Sequence, residues 1–209
     1  MLRSHASDTA SMREVCDNDR MQAIDALLER RSARALTEPG PDDGTLGLML
    51  TAATRAPDHG RLRPWRFVVI RGAARARLGE LLAGHLQRAQ PNASAEALER
   101  ERLKSQRAPV IVVVAAHCHA AAKIPMIEQT LSAGAAAYAV MLAAPALGFG
   151  AMWKTGDASY DPVVREGLGL GPEDSIVGFL YLGTEAGEPV VAGARPDWQS
   201  FTRELAPHP

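Results

Sequence analysis

Four short stretches of this chain hold residue types that could do chemistry. Arg30-Arg31-Ser32 sets two guanidinium groups and a hydroxyl side by side at the end of a helical segment, a group able to grip phosphate oxygens bidentately. Two arginines also suit the last turn of any helix, where cations complement the dipole. Arg55-Ala56-Pro57-Asp58-His59-Gly60-Arg61-Leu62-Arg63-Pro64-Trp65 carries three arginines, a histidine and two prolines, a cationic and partly rigid loop suited to a phosphate or a planar anion. Its alternative is a solvated turn.

Gly148-Phe149-Gly150-Ala151-Met152-Trp153-Lys154-Thr155 is one residue away from a phosphate-binding P-loop, with Trp153 where the second glycine is needed. That glycine lets backbone N–H groups wrap phosphates, and a P-loop must join a strand to a following helix. Here the expected order is helix, loop, short strand, which argues against nucleotide triphosphate chemistry. His117-Cys118-His119 invites a metal, yet strand alternation puts the imidazoles on one face and the thiol on the other. Without a CxxC or HxxxH partner the triplet reads as strand-end polar residues, and no metal site is expected.

The elements that must position these groups follow from periodicity. Ile24, Leu27 and Leu28 fall at helical spacing, which predicts a helix from Met21 with one buried face ending in Glu29-Arg30-Arg31-Ser32. Pro39-Gly40-Pro41 is a hard break, and Asp42 or Asp43 can cap the next helix, whose Leu46, Met49, Leu50 and Ala53 share a face. Pro57 ends it at Ala56. Residues 65–70 predict a strand, 73–89 a helix, and 95–107 a charged helical run that covers a surface or a pocket. Ala108 to Ala116 is a continuous β-branched apolar run, expected as a fully buried central strand. From about Pro125 to Leu147 runs a helix apolar on nearly all sides, which must be buried in a core or a subunit interface, with Pro145 kinking or ending it. Ala151-Met152-Trp153 predicts a short strand, Asp161-Pro162 opens a short helix, and 175–184 is another buried strand.

At 209 residues the chain is expected to be one domain spanning 21–209, preceded by a disordered tail over 1–20 and closing in an extended arm over 185–209. Met21 is a candidate translation start. A net charge of −1 gives no general attraction to nucleic acid or to an anionic membrane, and no apolar run reaches spanning length. Only Cys16 and Cys118 are present, so a disulfide framework is not expected and a reducing cytoplasm is the default location.

The RRS triplet, the RAPDHGRLRPW loop, the ALGFG helix end followed by WKTG, and the IVGFLYLGT strand occur in the order found in the nitroreductase family. The chain resembles most closely its small, minimal members, over roughly residues 21 to 184. The resemblance implies an α+β fold with a mostly antiparallel central sheet flanked by helices, and an interlocked homodimer whose flavin sites are shared between subunits. It implies an FMN-dependent oxidoreductase that takes hydride from NADH or NADPH and passes it to nitroaromatic, quinone or related small-molecule acceptors by ping-pong kinetics. A non-catalytic flavin-binding or redox-sensing protein on the same scaffold is the alternative.

By the same resemblance Arg30, Arg31 and Ser32 would bind the FMN phosphate and ribityl chain, Arg55 and His59 would reach the flavin of the partner subunit, and Trp153, Lys154 and Thr155 would lie along the cofactor. Lys154 or a nearby backbone amide would stabilise negative charge on the reduced ring; no side-chain acid or base is implied. Arg63 stands where many relatives carry glutamine, Asp58-His59 matches the small subgroup, and Lys154-Thr155 replaces an Arg-Ser pair.

Overall fold

The computed structural model of the protein describes residues 23–188 and 195–206. The expected tail over 1–20 lies outside them. The organising element is strand β3 (Val110–His117), buried along nearly its whole length. It pairs antiparallel with β2 (Trp65–Arg71) on one side and with β5 (Asp174–Glu185) on the other. The far edge of β5 is shared by β4 (Gly150–Lys154) and by the two-residue β1 (Leu36–Thr37), both antiparallel to it.

Helices cover both faces, and for that reason β3 is apolar without alternation. Val110, Val112 and Val114 point into a core with Leu46, Met49, Val140, Met141, Leu180 and Leu182. Ile111, Val113 and Ala115 point the other way, toward Leu78, Leu82, Val164, Phe179 and Tyr181. The first face carries α2 (Asp43–Ala53) and α5 (Met126–Ala146), and the second carries α3 (Ala74–Ala89) and α6 (Pro162–Gly167). The α+β class and the mostly antiparallel sheet that the resemblance implies are what the chain adopts.

Local chemistry explains the boundaries. Asp42 caps α2, its carboxylate accepting from the Thr45 N–H at 2.7 Å. Asp161 caps α6 in the same way through Val163 N–H at 2.8 Å, with Pro162 at the first helical position. Helix α2 ends at Ala53, earlier than Ala56, because Arg55 and Ala56 donate to the carbonyls of Ala52 and Ala53 and so tighten the exit. The charged run after β2 is likewise shorter than expected, α4 (Ala95–Leu103) passing into a single 3-10 turn over Lys104–Gln106.

Two apolar surfaces stay uncovered within the described residues, that of the first helix against the sequence expectation and that of α5 where a core or a subunit interface is expected. Helix α1 (Ala23–Glu29) buries only Ala26 against its own chain and leaves Ile24, Leu27 and Leu28 exposed. Helix α5 buries Ala133, Ala136, Ala137, Val140 and Ala144, while Ile127 and Leu131 stay 63% exposed beside Met126 and Tyr138. The small residues face the sheet because α5 packs close to it; the larger ones have no cover within the described residues. In the C-terminal arm Trp198 and Phe201 are also exposed, so they anchor nothing within their own chain. Among the described residues, no helix is long and apolar enough to cross a membrane.

Candidate active site

Arg30, Arg31 and Ser32 follow directly on α1 and run beside β4. The Ala33 N–H donates to the Ala151 carbonyl at 2.9 Å, which joins two motifs lying far apart in the sequence. Gly150 makes the approach possible: a Cβ there would meet Leu36 Cδ2 at 2.7 Å and Ala33 Cβ at 3.2 Å. Between these segments lies a cavity of about 120 Å³, lined by Arg30, Arg31, Phe149, Gly150, Ala151 and Glu185 among others. Arg31 donates to the Glu185 carboxylate, and that hydrogen bond raises the guanidinium pKa above its ordinary value, against the opposing pull of burial. From the C-terminal arm, Arg195 donates to the main-chain carbonyl of Arg30 at 3.3 Å and to that of Leu28.

Strand β4 splits the WKT motif between two sides of the sheet. Ala151 and Trp153 face the α5 core, whereas Met152 packs into the core beneath α3. By alternation Lys154 shares the side of Met152. The indole of Trp153 lies over Gly178, where a Cβ would sit 2.1 Å from Nε1, so glycine is obligatory beneath it. Between Gly178 and Ile176 the β3–β5 ladder slips, leaving Val177 as the extra residue of a β-bulge. In an antiparallel strand each residue's N–H and C=O point the same way, alternating along the chain. The Ala151 carbonyl points off β5 toward Ala33, so the N–H and C=O of Trp153 point off that same open edge.

Lys154 and Thr155 are exposed and line a second cavity, of about 260 Å³, with His85, Lys104 and Arg107 from the α3–α4 segment. They do not share the cavity of Arg30 and Arg31. The cationic loop lies at a third place, an open depression of about 330 Å³ lined by Arg55, Asp58, Arg61, Arg63 and Trp65. Asp58 organises it by accepting from the N–H groups of Leu62 and Arg63 at 3.1 and 2.8 Å. Arg61 and Arg63 sit at φ 55° and 50°, a left-handed region that costs free energy for residues with a side chain. His59 Nδ1 meets the Glu128 carboxylate at 2.7 Å, linking the loop to the first turn of α5.

Glu185 and Glu128, the acids that meet Arg31 and His59, are not among the residues the sequence singles out. Glu185 stands one residue beyond the IVGFLYLGT strand, and that adjacency was the available signal. At the strand end His117 Nδ1 lies 2.7 Å from the Asp174 carboxylate, and Gln129 holds the backbone of His119. Cys118 is buried and free. Among the described residues no group of three or more histidine, cysteine and acidic side chains could hold a metal ion.

Comparison with known proteins bears on the whole arrangement. The family model described as "Nitroreductase family" matches residues 27–184. The chain belongs to the nitroreductase family. It is 43% identical over 164 residues to the "Putative NAD(P)H nitroreductase YdjA" of Escherichia coli K12, covering 78% of this chain and 88% of that protein. The nitroreductase-like family protein of Bacillus cereus, a solved structure 26% identical in sequence, superposes with a TM-score of 0.76 over 90% of this chain and 98% of its own. A "putative nitroreductase in complex with fmn" from Desulfovibrio desulfuricans, also 26% identical, does so at 0.68 over 90% and 100%. As a nitroreductase the chain is an oxidoreductase, and its solved relatives share its sheet and flanking helices.

Proposed function

We propose that this nitroreductase binds FMN along the open edge of β4 and uses it to pass hydride from NADH or NADPH to small acceptors such as nitroaromatics and quinones, in ping-pong fashion. The observation that carries the proposal is the Ala33-to-Ala151 hydrogen bond, because it sets the Arg30-Arg31-Ser32 triplet beside the GFGAMWK passage at one edge. The residues fit such a group. Two guanidinium groups offer bidentate contacts to a phosphate, and the outward N–H of Trp153 offers a donor on the same edge. The relative from Desulfovibrio desulfuricans is described as a complex with FMN, which supports the cofactor.

When bound, FMN supplies the hydride-accepting and hydride-donating centre, and the protein supplies binding, orientation and electrostatics. Arg30 and Arg31 neutralise the phosphate, with the Glu185 carboxylate holding Arg31 in place until it does so. Ser32 adds a hydroxyl toward the ribityl chain. Trp153 fixes the backbone of the edge by resting on Gly178, and its outward N–H would favour negative charge on the flavin ring, whereas the side chains of Lys154 and Thr155 line the separate cavity under the α3–α4 segment. Arg55, in a depression of its own, and His59, on the same loop, complete the site of a partner copy in a homodimer. The exposed apolar faces of α1 and α5 supply the surface for that partner. The sparse cysteines favour the cytoplasm as the setting.

Steady-state oxidation of NADH and of NADPH with a quinone or a nitroaromatic acceptor tests the activity. Parallel double-reciprocal lines are the expected outcome. A protein that binds FMN yet turns over neither donor with any acceptor would instead be the non-catalytic flavin binder.

A further inference from the structure

The 260 Å³ cavity under the α3–α4 segment is a site of its own. Its floor is apolar and aromatic, made by Leu82, Leu86, Phe179 and Tyr181. Its charges do not cancel. Lys104 is paired with Glu101 at 2.5 Å, and His85 is engaged by Asp161 at 2.7 Å. Arg107 and Lys154 also line it, and among the described residues no carboxylate lies within ion-pair distance of either. Against these two cations stands one further carboxylate, Asp157, which is exposed. Burial raises the pKa of the Tyr181 phenol, so its hydroxyl stays a neutral donor, and no hydrogen bond contributes to that shift.

We propose that this cavity binds a compact aromatic carboxylate, with the ring on Phe179, Tyr181 and Leu86 and the carboxylate between Arg107 and Lys154. The volume limits the ligand, since sites for drug-sized molecules span roughly 300–1,000 Å³. An apolar floor with two unpaired cations at one end selects an anion with a flat apolar body over a neutral aromatic or a small inorganic ion. The site does not depend on flavin, because Arg107, Leu86 and Tyr181 lie outside the cavity of Arg30 and Arg31.

The test is calorimetric titration of the purified protein with benzoate and with benzamide, in the absence and presence of saturating FMN. Benzoate should bind with a Kd of about millimolar or below. Benzamide should bind about fivefold more weakly or less, and added FMN should not displace benzoate. Arg107→Gln, at an exposed position, should weaken benzoate about fivefold while leaving FMN affinity unchanged. Leu86→Trp should fill the cavity and abolish benzoate binding. Absent saturable binding, equal affinity for benzamide, displacement by FMN, or benzoate affinity unchanged in both variants would each overturn the proposal.

Discussion

Arg30 and Arg31 are the residues on which cofactor affinity should turn. A hydrogen bond to a charged group is worth about 1.5–3 kcal/mol, so Arg30→Ala with Arg31→Ala should weaken FMN binding by about a hundredfold or more, read by equilibrium dialysis. The fold should survive, because both side chains sit at the rim of the cavity rather than in the core. Asp161 is a residue of stability instead. Burial would raise its pKa, but hydrogen bonds from Arg88, His85 and the Val163 N–H outweigh that and hold it at about 2, below its ordinary 3.8. A carboxylate with a depressed folded pKa stabilises the fold above its unfolded value and loses that stabilisation as pH falls through the folded one. The difference amounts to about 2 kcal/mol, so Asp161→Asn should lower stability by about that much at pH 7 and far less near pH 2. Urea midpoints at the two pH values check this.

Strands β4 and β5 carry the proposed site, and their contact is most sensitive at Gly178. Gly178→Val must displace the Trp153 indole, because even a Cβ would lie 2.1 Å from Nε1. Overpacking of that kind costs about 1–3 kcal/mol, and here it should also disturb the open edge, so a lower melting temperature should accompany weaker FMN binding. Elements of this kind were largely legible in the chain. The β-branched run of β3, the Asp42 and Asp161-Pro162 caps and the helical spacing in α2 and α3 are local signals, and each led to the element observed. Partners set by tertiary packing were not legible: nothing local says that Glu185 meets Arg31 or that Glu128 meets His59. The stretch 1–20 shows no apolar period, so its deletion should leave flavin content and turnover unchanged, and loss of flavin in the truncated protein would assign it a place in the fold.

Over the whole molecule, the proposed homodimer would cover apolar side chains that the described residues leave exposed on α1, α5 and the C-terminal arm. Ile24, Leu27, Leu28, Ile127, Leu131, Trp198 and Phe201 would otherwise face water. Leu131→Glu should therefore shift the protein toward monomer in sedimentation and reduce bound flavin with it. If Arg55 and His59 complete the partner's site, a variant lacking Arg30 and Arg31 and one lacking Arg55 and His59 should regain partial activity when co-expressed. Each mixed dimer then contains a site built only from intact contributions, and confirmed heterodimers without activity would rule sharing out. The central claim, that the edge of β4 beside Arg30-Arg31-Ser32 is an FMN site, is tested most directly by the absorption spectrum of the purified protein together with identification of the released cofactor. The account predicts a flavin spectrum, release of FMN in amounts stoichiometric with protomer, and its loss in the Arg30→Ala, Arg31→Ala variant; a colourless protein that takes up no FMN on titration would contradict it.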